Sequence, residues 1–169
     1  MVVPRERLDA WIEAERDAAL ARLFAFLRRP SIGTDPAHDA DTRACAEWLA
    51  GELDELGFAA RAVPTAGQPT VLAHHPGPGG DAPHLLYYGH YDVQPADPVR
   101  LWRHPPFEPT LEHGPHGERI VARGAVDDKG QVATFLEAFR VWIALTGTLP
   151  CRVSVLIEGE EESGSPSLD

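Results

Sequence analysis

The chain has 169 residues and a formal net charge of −11, from 26 acidic and 15 basic side chains. A surface that acidic repels phosphate backbones, which argues against nucleic acid as a partner. Hydrophobic residues at 43% and charged residues at 24% exclude a wholly disordered tail, a collagen-like repeat or a coiled coil, and suit one compact domain or a piece of a larger one.

The first residues, MVVPRERLDAWIEAERD, are laced with charge and lack the apolar stretch of a secretory signal. No window approaches the roughly 18 consecutive apolar residues of a membrane span. Cys45 and Cys151 have no short spacing, so they form neither a disulfide framework nor a thiolate metal site. These features predict a soluble protein of a reducing compartment, cytoplasmic and without a membrane partner.

Leu8, Trp11, Ile12, Ala19, Leu23, Phe26 and Leu27 share one side of a 3.6-residue period, which predicts a helix stopped by Pro30. After the turn-rich SIGTDPAHDAD, a second helix carries Cys45, Trp48, Leu49, Leu53 and Leu56 on one stripe, with Gly57 placed to end it. Extended runs follow at 58–63, 70–73 and 84–88, the last two separated by the loop HHPGPGGDAP. Residues 94–117 are Pro-rich and aperiodic, which predicts a long connection, and 118–122 a further strand. Val132, Phe135, Leu136, Phe139, Trp142 and Ile143 give the clearest helical stripe, and RVSVLI at 152–157 reads as a buried strand. Helices alternating with such strands predict an α/β layered domain with a largely parallel sheet. The closing SPSLD reads as the start of another helix, so the sheet is expected to be incomplete within these 169 residues.

Three polar clusters each follow a predicted strand or extended run, where ligand sites of α/β sheets gather. The first is Gly89-His90-Tyr91-Asp92. Residues two apart in an extended chain face the same way, so Asp92 can hold the His90 ring in one tautomer, as carboxylates do behind metal-bound imidazoles. The second is Arg123-Gly124-Ala125-Val126-Asp127-Asp128-Lys129-Gly130, just before the clearest helix. One Asp there could simply cap that helix; two exceed what a cap needs, and a carboxylate could bridge two metal ions. The third is Glu158-Gly159-Glu160-Glu161-Glu162-Ser163-Gly164-Ser165. Acidic runs are usually solvated surface, but this one abuts a buried strand, and packed carboxylates repel unless a cation sits among them. One imidazole with several carboxylates and no thiolate suits catalytic zinc, or manganese or cobalt, more than structural zinc or calcium.

GHYDVQP, then W followed by PPFEP, then RGAVDDKG, then EGEEESGS resembles the dinuclear-zinc metallopeptidase family of carboxypeptidases, aminoacylases, deacylases and dipeptidases, and is most similar to the dipeptidase branch. The resemblance runs from about residue 15 to the end. It implies hydrolysis of a peptide or N-acyl amide bond by a zinc-bound hydroxide, with small peptides or N-acyl amino acids as substrates. His90 would ligate one zinc and Asp92 orient it. Asp127 would be the carboxylate bridging both zincs, and its bond to Asp128 is often cis in this family. Glu161 would be the general base and Glu162 a ligand of the second zinc, while Glu158 and Glu160 receive no family role. A further acidic ligand, a second His and a smaller lid domain that mediates homodimerisation have no counterpart here. His74, His75, His84, His104, His113 and His116 do not match the missing His by context. The resemblance thus implies that residues 1–169 are the N-terminal part of the catalytic domain and inactive alone. Two other readings stand beside it: a non-catalytic fragment or metal-poor binding module, and a calcium-binding acidic domain, against which the acids lack EF-hand spacing.

Overall fold

The computed structural model describes residues 3–168. In chain order it contains α1 (Arg5–Leu27), α2 (Asp39–Glu55), β1 (Ala59–Val63), β2 (Thr70–His75), β3 (His84–His90), β4 (Thr110–Gly114), β5 (Gly117–Val121), α3 (Lys129–Thr146) and β6 (Arg152–Glu158), with short 3-10 turns at Pro36–His38, Val99–Leu101 and Glu161–Ser163. No described helix is long and apolar enough to cross a membrane.

The α/β class holds, and the strand sense needs a correction. The main sheet runs β1-β2-β6-β3, and only β3 and β6 are parallel; β1–β2 and β2–β6 are antiparallel. Connection length explains the difference. Six residues between β1 and β2 can only turn the chain back, whereas α3 lies on the path from β3 to β6 and provides the crossover that a parallel pair needs. A second sheet pairs β4 with β5. Strand β4 falls inside the segment expected to be an unbroken connection, because Thr-Leu-Glu-His-Gly is too polar and exposed to show a strand pattern.

Val71, Ala73, Val153, Val155, Ile157 and Tyr87 face inward from the sheet and meet Cys45, Leu49 and Leu53 of α2 and Val132, Leu136 and Phe139 of α3 in one core. Full burial of a side chain such as Leu49 or Leu53 contributes about 1.5–3 kcal/mol. Helix α2 ends as expected, with Gly57 at φ +83°, a conformation that favours glycine.

Helix α1 departs from its expected stripe. Phe26 and Leu27 are buried, but Ile12 is exposed, and Trp11, Leu20 and Leu23 line an open groove against Ala133 and Val141 of α3. The two helices are joined instead by a two-pronged ion pair, Arg22 Nε and Nη2 donating to Glu137 at 2.7 and 2.8 Å. Lys129, fully buried at the start of α3, donates from Nζ to the carbonyls of Phe26 and Arg29 at 3.2 and 2.5 Å. Each carbonyl also accepts a backbone N–H, from Arg29 and Ser31 respectively, so Lys129 adds a second donor to each at the C-terminal end of α1. Burial pushes the Lys129 ammonium down to about 8. Residues 164–168 do not continue as a helix after the Glu161–Ser163 turn, contrary to the expectation for SPSLD. The αL backbone of Gly164 and Ser165 ends that turn at once.

Candidate metal centre

Because β3 and β6 are parallel neighbours, their carboxyl ends lie side by side, with His90 paired to Glu158. The chain leaving β3 carries Asp92, and the chain leaving β6 carries Glu161 and Glu162. The loop entering α3 brings Asp127 and Asp128 to the same edge. Gly89 permits this approach: a Cβ there would stand 2.9 Å from Asp128 Oδ2 and 3.1 Å from a Val132 methyl.

His90 is buried, and its two nitrogens face different surroundings. Nδ1 lies 3.1 Å from the Asp92 carbonyl and 3.2 Å from Asp92 Oδ1. Nε2 faces outward, 3.1 Å from Asp127 Oδ1 and 3.8 Å from Glu161 Oε2. Burial opposes charge on the ring, but the Asp92 hydrogen bond, with the charges of Asp92, Asp128 and Glu161, outweighs it and raises the imidazole to about 9. The surrounding carboxylates thus favour positive charge on the ring, a proton here or a cation that would displace it.

Asp92 is completely buried and does more than orient His90. Its Oδ1 accepts the Glu161 N–H at 3.3 Å and its Oδ2 the Glu162 N–H at 3.0 Å. The Asp127–Asp128 bond is cis, as the family resemblance implies. Asp127 is 70% exposed and open to a ligand, whereas Asp128 Oδ2 accepts the His90 N–H at 3.2 Å. Burial raises the Asp128 carboxyl above its usual range despite that bond and the His90 charge, with Asp127 adding to the rise. Glu162 joins the others through its backbone; its Oε2 accepts from Gln94 Nε2 at 2.9 Å.

His90, Asp127 and Glu161 therefore converge, while Glu162 stands on the same turn with its carboxylate held by Gln94. Among the described residues, no three His, Cys, Asp or Glu side chains close on one point as a finished metal shell. The donor chemistry fits a divalent cation: one imidazole nitrogen with its other nitrogen anchored, beside carboxylate oxygens. The 3.1 Å between His90 Nε2 and Asp127 Oδ1 is close to the separation of two donors sharing one zinc.

Gln94, Lys129 and the second task of Asp92 went unread in the sequence. Glu158 also gains a role, since its Oε1 accepts from Tyr88 Oη and from Ser165 Oγ and so pins the far side of the acidic turn. The pairing of His90 with Glu158 in register is the signal behind that role, and it exists only once the sheet is assembled.

Residues 86–168 match the model of peptidase family M20/M25/M40. The chain belongs to this family. It is 36% identical over 149 residues to a cysteinylglycine-S-conjugate dipeptidase of Corynebacterium striatum, covering 88% of this chain and 32% of that protein. It is 32% identical over 152 residues to a succinyl-diaminopimelate desuccinylase of Halorhodospira halophila, covering 90% of this chain and 36% of that one. The crystal structure of human carnosine dipeptidase 1 superposes with a TM-score of 0.84 at 28% identity, over 96% of this chain and 36% of the human chain. The M20/M25/M40 chain described here thus spans about a third of the length of these relatives.

Proposed function

We propose that these residues form the N-terminal part of the catalytic domain of a two-zinc hydrolase of peptide or N-acyl amide bonds, most similar to dipeptidases. The observation that carries the reading is the convergence of His90 Nε2, Asp127 Oδ1 and Glu161 Oε2 at the joined ends of β3 and β6. His90, Asp127 and Glu162 would hold zinc as part of its ligand set, with Asp127 shared between two ions; manganese or cobalt could replace it.

Zinc bound there would supply Lewis acidity toward water and toward a substrate carbonyl. The chain's own residues do the rest. Asp92 holds the Nδ1 hydrogen, so Nε2 is the nitrogen that would give up its proton and turn its lone pair to the cation. Glu161, partly exposed and beside His90, takes a proton on its carboxylate from the attacking water and returns it to the leaving amine. Gln94 holds the Glu162 carboxylate in place.

Small peptides are the favoured substrates because dipeptidases recur among the similar proteins. The likeness to a desuccinylase supports a second reading, hydrolysis of N-acyl amino acids. The enzyme is proposed to act in the cytoplasm as a homodimer.

The test compares Glu161→Gln and Glu162→Gln in the complete enzyme, assayed on dipeptides and N-acyl amino acids with zinc content measured alongside. Glu161→Gln should keep its zinc and lose about 10²–10⁴-fold in kcat. Glu162→Gln should lose zinc and regain activity with excess metal. Retention of more than about a tenth of activity by Glu161→Gln would remove it as the base. Absence of both zinc and turnover in the parent protein would favour a metal-poor binding module.

A further inference from the structure

On the face of the sheet turned away from the helices, three side chains from three adjacent strands meet. Val153 and Val155 are core residues, so Ser154 between them points outward. On one side its partner in register is His74 of β2; on the other it pairs with Leu86 of β3, two residues after His84. Ser154 Oγ lies 3.2 Å from His74 Nδ1 and 2.8 Å from His84 Nε2. The two rings stand edge to face with centroids 5.9 Å apart. Both histidines are exposed, and neither has a place in the candidate metal centre.

We infer that His74, Ser154 and His84 form a second, surface site for a late first-row transition-metal dication such as Ni²⁺, Cu²⁺ or Zn²⁺. The Ser154 hydroxyl can donate its one hydrogen to one ring nitrogen and accept from the other, and the nitrogen that receives the hydrogen offers a lone pair. Donors bound to one tetrahedral ion at 2.0–2.1 Å stand about 3.3 Å apart, and the two nitrogen–oxygen separations lie near that value. A cation can therefore take the place of the shared hydrogen bonds with small side-chain movement. Imidazole nitrogens select copper, nickel and zinc over calcium or magnesium, and exposure leaves positions for water or an outside ligand. Arg152, opposite His84 in register, opposes a dication there, although its Nε is turned to the Ala82 carbonyl at 3.1 Å. The site is accordingly a weaker one than a buried catalytic centre. The inference does not depend on the hydrolase reading.

The experiment titrates Ni²⁺ into the His90→Ala chain, which silences the candidate metal centre, and into the same chain carrying His74→Ala or His84→Ala. One Ni²⁺ should bind to His90→Ala, and either further substitution should weaken it at least tenfold. Ser154→Ala, which keeps both imidazoles and perturbs the fold least, should weaken it by less. In the unsubstituted chain, Ni²⁺ added beyond what the candidate metal centre takes up should broaden the His74 and His84 ring resonances, a readout that does not require His90→Ala to fold. Unchanged affinity on removing either histidine, or unbroadened His74 and His84 rings, overturns the site.

Discussion

Asp92 Oδ2 accepts the backbone N–H of Glu162 at 3.0 Å, which ties the strand end carrying His90 to the turn carrying both candidate glutamates. The other oxygen of the same carboxylate faces His90 Nδ1 and the Glu161 N–H. One buried side chain thus sets the distance between an imidazole and two carboxylates that lie about seventy positions apart.

Asp92→Ala should be among the most destabilising single changes near the site. It leaves three donors without their acceptor, and each such loss costs about 1–3 kcal/mol unless water enters. The expected loss is at least about 2 kcal/mol, with Asp92→Asn milder because one oxygen remains. Urea unfolding with an unchanged slope measures it; a loss under about 0.5 kcal/mol would show that the network is not a structural tie.

Asp127 and Asp128 should separate cleanly in metal analysis of the complete enzyme. Asp127 is open and faces His90 Nε2, whereas Asp128 is turned to the His90 N–H. Asp127→Asn should lose most bound zinc. Asp128→Asn keeps an oxygen acceptor and should retain it. Zinc loss from Asp128→Asn alone would reverse the assignment.

Two glycines in helices should respond oppositely to alanine. At Gly51 of α2 nothing lies within 4 Å of an added Cβ, so Gly51→Ala should stabilise by up to about 1 kcal/mol through helix propensity. At Gly130 of α3 the added Cβ would stand 2.1 Å from the Ala125 carbonyl oxygen. That oxygen is backbone and cannot swing aside, so Gly130→Ala should destabilise and displace the loop that holds Asp127. Paired thermal melts decide it, and stabilisation by both would show that the loop yields freely.

The two thiols should differ in reactivity. Cys45 is fully buried, and burial raises its thiol above the usual range despite nearby Lys129 and Ser31, whereas Cys151 is partly exposed. A thiol reagent at pH 8 should label Cys151 in the native chain and Cys45 only after denaturant is added. Peptide mapping of the labelled sites checks this; labelling of native Cys45 at the rate of Cys151 would contradict the burial.

The contrast between β6 and β4 shows what kind of information the sequence held. RVSVLI reads as a strand because Val153, Val155 and Ile157 alternate onto one apolar face with Leu156 added on the other, and the structure extends it only to Glu158. Strand β4 has no such face, because it pairs with β5 in a small exposed sheet. Helix α1 shows the opposite failure. Its apolar residues have the right period, but a period says that a face could be buried, not that a neighbour covers it, and Ile12 stays exposed.

Residue chemistry marked the three polar clusters around His90, the Asp127–Asp128 pair and the acidic run, and the family resemblance singled out Asp127, Glu161 and Glu162 within them. Local spacing also carried the tie between His90 and Asp92, because residues two apart in an extended chain share a side. Everything that joins distant segments was decided by the fold. The parallel pairing of β3 with β6 places the acidic turn beside His90, Gln94 reaches Glu162, and Lys129 reaches back a hundred residues to the end of α1. The approach of His74 and His84 to Ser154 belongs to the same class. A linear pattern encodes which groups can bind, bury or turn; the partner each one meets depends on strand order and direction, which loop lengths and core packing select only when the whole chain is assembled.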